Sequence, residues 1–596
     1  MSRLLKTLAL GALCAASSLQ VAAQAPPTAA APPAQGWIAE SNKHAQVLLD
    51  IIAKYGPEQA SFIGVEGHDA EVFDAKPQNN ERQAADLAKA IEQLRALHAA
   101  ATDPLVKQDL DILIEAAVTQ RDTILLNDRL MLPYFDFPRA IYGGFQNLMD
   151  ERVPQERQKH AVQRLKRYAG LESGYEPITE LVKARYAERA GDAAMVGPWV
   201  VEVEANLDNQ KRYVKGIRDL FAKSKLKGWQ KPLATFEKQL AGYETWVRET
   251  VVPRARKTNQ LPPEIYADNL KNFGVPMEPK DLIERAQLAF LATRDEMDSI
   301  ARQIAKERGW KDPDYRAVIR ELKKDRLPSD KVLEIYRGRL EDIEEFINRE
   351  KLVTLPSREA VIRLGNEAES AAQPAPHIDP PRLIGNTGEP AEFVLPLVNP
   401  SSKSGVEMDD FIYQAITWSL TAHEARPGHE LQFAKMLERG VSTARVVFAF
   451  NSANVEGWAL YAEAFAKQYE PLEGQLGALQ MRLMRAARAF LDPMLNLGML
   501  EPDAAKRLLM EEVMLSEPMA KQEVDRYTFR APGQATAYFY GYSKLQALRT
   551  RAELALNGKL DVQAYHDYIV NQGLLPLDLL EKAVLEEFVP SQRKGP

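Results

Sequence analysis

His423-Glu424-Ala425-Arg426-Pro427-Gly428-His429 sets two imidazoles and a carboxylate around a proline–glycine break in a chain of 596 residues. Zinc binds neutral imidazole well, and a catalytic zinc takes three protein ligands and leaves one position to water. The metal lowers the pKa of that water toward about 7, and a neighbouring carboxylate takes its proton. In the familiar H-E-x-x-H helix that base directly follows the first histidine, the place Glu424 holds here. The spacing differs, because His423 and His429 stand six apart, roughly 120° out of register on a regular helix. Pro427 has no N–H to bond His423, and Gly428 accepts unusual dihedrals. The pair therefore predicts a bend that swings His429 back toward His423. The other reading is that the two histidines merely end one helix and restart another.

Upstream, Asp409 and Asp410 predict a helix start, with the helix running Phe411 to Ala425. Its stripe Ile412, Ile416, Ser419 and Leu420 delivers His423 to the buried side. Downstream, Asn454-Val455-Glu456-Gly457-Trp458-Ala459-Leu460-Tyr461-Ala462-Glu463 begins 25 residues after His429 and reads as a second helix. Glu456 offers a third ligand, and Glu463, two turns further on the same face, is placed to orient a histidine. Solvent exposure of both glutamates is the alternative, against which Val455, Trp458, Ala459 and Ala462 make that face apolar. Further on, Pro532-Gly533 predicts a turn opening a helix with Gln534 and Tyr538 four apart on one face. Tyr538 is the first choice for a donor to an oxyanion. Arg526 is either a second donor or a clamp for a substrate carboxylate. Tyr538, Tyr540 and Tyr542 read equally as core packing.

The runs H-E-A-R-P-G-H-E-L-Q (His423 to Gln432), E-G-W-A-L-Y-A-E (Glu456 to Glu463) and P-G-Q-A-x-x-Y (Pro532 to Tyr538) resemble a bacterial family catalogued as domain of unknown function 885. That family is grouped with zinc metallopeptidases of the glutamate-zincin type. Pro57 to Asp74 is similar to the family's opening segment, so the resemblance covers nearly all of the chain after its leader. It implies a mostly helical fold around a deep cleft, one zinc ion on His423, His429 and Glu456, and Glu424 as general base. One residue departs from the pattern: many members carry a second histidine directly after the metal one, where this chain has Glu430. The departure implies a difference in metal affinity or specificity.

The amino terminus reads as an export signal. Arg3 and Lys6 precede an apolar run from Leu8 to Leu13, then small residues to Ala25, with small-x-small sites at Val21-Ala22-Ala23 and Ala23-Gln24-Ala25. The run is too short for a spanning helix, which leaves no membrane anchor in the mature chain. Cys14, the only cysteine, follows Leu13 where a lipoprotein signal wants a small residue. Residues 1–23 are thus expected to be removed, 24–36 to form an Ala/Pro-rich flexible leader, and 37–596 to fold as one helical zinc-hydrolase domain, in two lobes. Without disulfides a large packed core must stabilise the exported chain, and a Gram-negative periplasm is the expected compartment.

Most of the remainder is amphipathic helix, as in Arg82 to Ala99, Pro104 to Asn127, Lys280 to Glu307 and Lys331 to Asn348. The clearest strand is Ala391 to Val398, read either as an edge along which an extended peptide lies or as a buried strand. The expected class is mainly α, with a few short strands near the site. A net charge of −7 and a pI of about 5.8, with charges spread evenly, argue against nucleic acid as partner. The mature chain has no cysteine and no G-x-S-x-G elbow, which disfavours cysteine and serine hydrolases. A zinc-dependent peptidase acting on peptides is the leading expectation. A zinc hydrolase of a non-peptide amide or ester, and an inactive binding protein on the same fold, are the alternatives.

Overall fold

A computed structural model describes residues 36–365, 370, 373, 375–386, 388–396 and 407–593. The export signal at 1–23 and the leader up to residue 35 lie outside the described residues, as do Leu397 and Val398 of the anticipated strand. Among the described residues no helix is long and apolar enough to cross a membrane.

The protein is mainly α-helical, with one three-stranded sheet among the described residues. The amino-terminal helices α1 (Gly36–Tyr55), α2 (Asn79–Ala100) and α3 (Pro104–Leu130) pack on one another. Asp103 opens α3 by accepting from the Leu105 and Val106 amides ahead of Pro104, which satisfies two donors that a helix start leaves free. Helices α4 (Phe137–Leu148), α5 (Val200–Lys223) and α6 (Gln230–Trp246) enclose an aromatic core of Phe137, Phe145, Phe221, Phe236 and Tyr243. A larger core joins the remaining helices. There α7 (Pro279–Arg308) buries Leu282, Ala286, Phe290, Thr293, Met297, Ala301 and Ile304 at three- and four-residue intervals and ends at left-handed Gly309, the pattern of a one-faced helix.

The expected helices were placed to within three residues at each end. The metal helix was not. Asp410 does not start a helix: its carboxylate accepts from the Ser516 amide and hydroxyl and from Lys323. Tyr413 makes an isolated bridge with Arg326. Regular helix begins only at α9 (Ile416–Leu420), after α8 (Val332–Arg349) and the sheet. Tertiary partners for the aspartate outweigh its capping preference here.

The sheet holds β1 (Val361–Leu364), β2 (His377–Asp379) and β3 (Glu392–Leu395), in the order β1-β3-β2. β3 pairs in parallel with β1 and antiparallel with β2. Both of its edges are therefore occupied, and Phe393, Val394 and Leu395 are buried. The strand that sequence offered as a docking edge is the central strand, so a peptide has no free backbone there to pair with. The sheet stays close to the site, as β2 touches the turn that carries His423.

The site is built by α10 (His429–Arg439), α11 (Ser452–Ala466), α12 (Leu472–Asn496), α13 (Glu517–Asp525) and α14 (Thr536–Ala555). α12 is buried on nearly every side, so any charge on it needs an internal partner. α11 and α14 cross at Gly457 and Gly541. A Cβ on Gly457 would lie 2.6 Å from Gly541 Cα, and one on Gly541 would lie 1.9 Å from the Ala453 carbonyl oxygen. That close crossing brings the helix of Glu456 against the helix of Tyr538.

Candidate metal centre

α9 leads directly into a π-helical turn, Thr421–Ala425, which carries His423 and Glu424. Threonines there bond backward: Thr421 Oγ1 donates to the Thr417 carbonyl at 2.7 Å, competing with the regular ladder. The wider π turn adds a residue to the register. The chain then leaves the helix at Arg426, whose backbone is extended, and passes a cis Arg426–Pro427 bond. Gly428 packs its Cα against the carbonyls of the turn it has just left, since a Cβ there would lie 1.9 Å from the His423 oxygen. Trp458 Nε1 donates to the Pro427 and Gly428 carbonyls at 3.1 and 3.3 Å. From this hairpin-like break α10 starts at His429.

The anticipated bend is thus present, and the six-residue spacing closes. The two imidazole rings stand 4.8 Å apart between centroids, at 84°. One ligand atom each of His423, His429 and Glu456 lies within 4.8 Å of the others. Glu456 Oε2 is 3.6 Å from His423 Nε2 and 3.4 Å from His429 Nε2. His423 and His429 are 3% exposed, whereas the Glu456 side chain is 18% exposed, so the glutamate marks the solvent side.

Glu463 does what its position two turns beyond Glu456 predicts. Its Oε1 meets His423 Nδ1 at 2.6 Å, and its Oε2 accepts from Ser419 Oγ at 2.6 Å. This pairing fixes the ring and leaves Nε2 to face the other two ligand residues. Burial works against a charged imidazole, yet Glu463, Glu456 and Glu424 hold His423 up to about 9. Burial also disfavours a charged Glu456, but bonds from His423 and His429 hold it well below the usual carboxylate range. Two rings thus share a pocket with three carboxylates, a donor set that matches a divalent cation preferring nitrogen and oxygen. For a zinc ion held by these residues, Glu463→Gln is expected to weaken binding by about 10–100-fold, read by competition with a fluorescent chelator. Unchanged affinity would remove Glu463 from any role in orienting His423.

Glu424 is partly exposed and stands beside both histidines. Burial raises its pKa, His423 and His429 pull it down, and Glu456 pushes it up, with a net rise. Tyr538 and Arg526 also join the site. The Tyr538 ring lies nearly parallel to that of His423, at 6.4 Å and 14°. Arg526 Nη2 donates to the Tyr538 hydroxyl at 3.0 Å and to Gln534 Oε1. Gln534 precedes the helix rather than lying on it, in the turn from Pro532 that Asp492 secures by accepting from the Gly533 amide at 2.9 Å.

Glu430 points elsewhere. It is fully buried and accepts from Arg426 Nε at 2.6 Å, while Arg426 also donates to Glu344 and to the Arg358 carbonyl at 2.6 Å. Glu430 therefore braces the bend from below.

Arg485 and Arg488 were missed in sequence. Arg488 lies 4.6 Å from the Tyr538 ring centre and Arg485 5.7 Å. Arginines three apart (Arg482, Arg485 and Arg488) inside the mostly apolar run Leu476 to Leu491 were the available signal, because charge on such a helix must face a polar interior.

Comparisons with known proteins agree with this picture at the level of family and fold. The sequence pattern of the family described as "Bacterial protein of unknown function (DUF885)" matches residues 57–584. Two solved structures are similar, one described as a "putative lipoprotein" from Colwellia psychrerythraea and one as a "putative lipoprotein of unknown function" from Shewanella oneidensis. Each superposes with a TM-score of 0.73 at 18% identity, covering 93% of this chain and 100% of the other. No curated protein matches.

Proposed function

We propose, for a chain that belongs to the DUF885 family of bacterial proteins of unknown function, that it is a zinc-dependent peptidase hydrolysing peptides with Glu424 as general base. The observation that carries this reading is the convergence of His423, His429 and Glu456 with a glutamate next in sequence to the first histidine. His423, His429 and Glu456 would hold the ion. When bound, zinc supplies a Lewis acid and lowers the pKa of water toward about 7.

The remaining work falls to side chains. Glu424 accepts the proton of the attacking water and passes it to the leaving amine. Tyr538, its hydroxyl polarised by Arg526 at 3.0 Å, donates to the oxygen on which negative charge develops. Glu463 keeps His423 in one tautomer and orientation throughout. The export signal read at residues 1–23 and the lipoprotein descriptions of the two structural neighbours support an envelope location, which we assign to the periplasm.

The deciding experiment compares zinc-loaded with chelator-stripped protein on a mixed peptide library, products being read by mass spectrometry. Cleavage that disappears on stripping and returns with about one zinc per chain is expected. A protein that binds zinc stoichiometrically and cleaves no peptide would overturn the reading. So would cleavage that is indifferent to stripping.

A further inference from the structure

The wall behind Tyr538 gathers three guanidiniums, two of which keep a buried N–H without an acceptor among the described residues. Arg485 and Arg488 are 5% and 4% exposed, and the Arg526 side chain is 14% exposed. Among the described residues, the carboxylates within ion-pair distance of these guanidiniums are Glu523 and Glu463, and most of their bonds go to other partners than Arg485 and Arg526. Glu523 takes two bonds from Arg488, at 2.6 and 2.8 Å, and a third from the Tyr527 hydroxyl at 2.7 Å. It meets Arg526 only at 3.5 Å. Glu463 is bound to His423 and Ser419, and stands 3.8 Å from Arg485.

Arg526 bonds the neutral acceptors Gln534 and the Tyr538 hydroxyl closely and reaches a carboxylate, that of Glu523, only at 3.5 Å. Arg485 has only the Met481 carbonyl at 3.4 Å besides distant Glu463. Among the described residues the Nε atoms of both are buried without an acceptor. A guanidinium taken out of water with incomplete bonding is costly, and an incoming anion relieves that cost. The planar guanidinium matches a carboxylate.

We infer that Arg526 and Arg485, on the Tyr538 side of the metal centre, receive the free C-terminal carboxylate of the substrate, making the protein a carboxypeptidase. The inference rests on the peptidase reading and adds the end from which it works. Water adds across an amide bond near the C-terminus, the new carboxylate stays with the amino-terminal part, and the released part leaves as an amine that carries the recognised carboxylate. Arg526 and Arg485 are positioning residues in this scheme, since they hold the end of the substrate while Glu424 handles the proton.

The test uses N-acetylated pentapeptides of mixed sequence lacking Asp and Glu, made as free acids and as C-terminal amides, with a parallel set carrying an internal Glu. Zinc-loaded protein is assayed for cleavage, and the Glu424→Gln variant for binding by calorimetry, a readout that needs no turnover. Free acids are expected to be favoured by roughly 100-fold in both. In Arg526→Gln the preference should fall below about 5-fold, with Arg526→Lys between the two, at unchanged zinc content. Equal cleavage and binding of acids and amides overturns the inference while leaving the peptidase reading intact. Amides with an internal Glu behaving like free acids overturns the C-terminal assignment. No cleavage of either kind counts against the peptidase reading, and the calorimetric preference then decides the carboxylate subsite by itself. The acid–amide comparison on wild-type protein holds even if a variant fails to fold.

Discussion

Replacing Glu424 by glutamine is expected to lower kcat for peptide hydrolysis by roughly 10²–10⁴-fold while zinc stays bound. The change keeps the shape of the side chain and removes only its capacity to take a proton. Glu424 is suited to that task by its surroundings. Burial raises its pKa against the pull of His423 and His429, which moves the carboxylate toward the range where a base both ionises and accepts well. It is not among the three converging ligand residues, so its loss leaves the donor set whole. Steady-state kinetics on the best library peptide, with zinc measured by plasma mass spectrometry on the same preparation, separates the two effects. A variant that keeps turnover within about threefold of wild type at full zinc content would remove Glu424 from the chemistry. A variant that loses its zinc would instead give it a role in metal binding.

How legible this site was in the sequence follows from how local its causes are. His423, Glu424 and His429 sit within seven residues, and the break between them is written in Pro427 and Gly428. Glu456 and Glu463 share a helix face through simple periodicity, so their distinct tasks, toward the pair of histidines and toward His423 Nδ1, could be anticipated. What was lost depends on partners far away along the chain. Asp410 gives up its expected cap for Ser516 and Lys323. Arg488 finds Glu523 on α13, and the sheet places β3 between two strands of only three and four residues, too short for a period to stand out. Periodicity reports which face of an element is buried, not which element it is buried against. For the same reason Glu430 was visible as a departure but not as the partner of Arg426, although the two are only four apart: the break between them makes the pair a clasp across a bend, not a pair on a helix.

Gly428→Ala should abolish the metal centre without touching a ligand. A Cβ at that position would lie 1.9 Å from the His423 carbonyl oxygen, 2.5 Å from that of Ala422 and 2.6 Å from the His423 carbonyl carbon. All three are backbone atoms of the π turn, so no side chain can rotate aside to make room. Either the turn moves away from α10 or α10 moves away from the turn, and the gap between His423 and His429 opens by the amount needed to reach ordinary contact. Zinc tolerates ligand distances only within about 0.2 Å of its preferred values, so a displacement of this kind leaves at most two ligands in reach. Zinc content is expected to drop from about one per chain to a small fraction, with peptide hydrolysis lost in parallel. Thermal stability should fall too, because Trp458 bonds the Pro427 and Gly428 carbonyls on the same bend. Gly338→Ala is the control: it lies inside α8, a Cβ there meets nothing within 4 Å, and alanine favours helix over glycine by roughly 1 kcal/mol. Retention of full zinc content by Gly428→Ala would show that the bend is not what joins the two histidines, and the geometry argued from the π turn and Gly428 would fall with it.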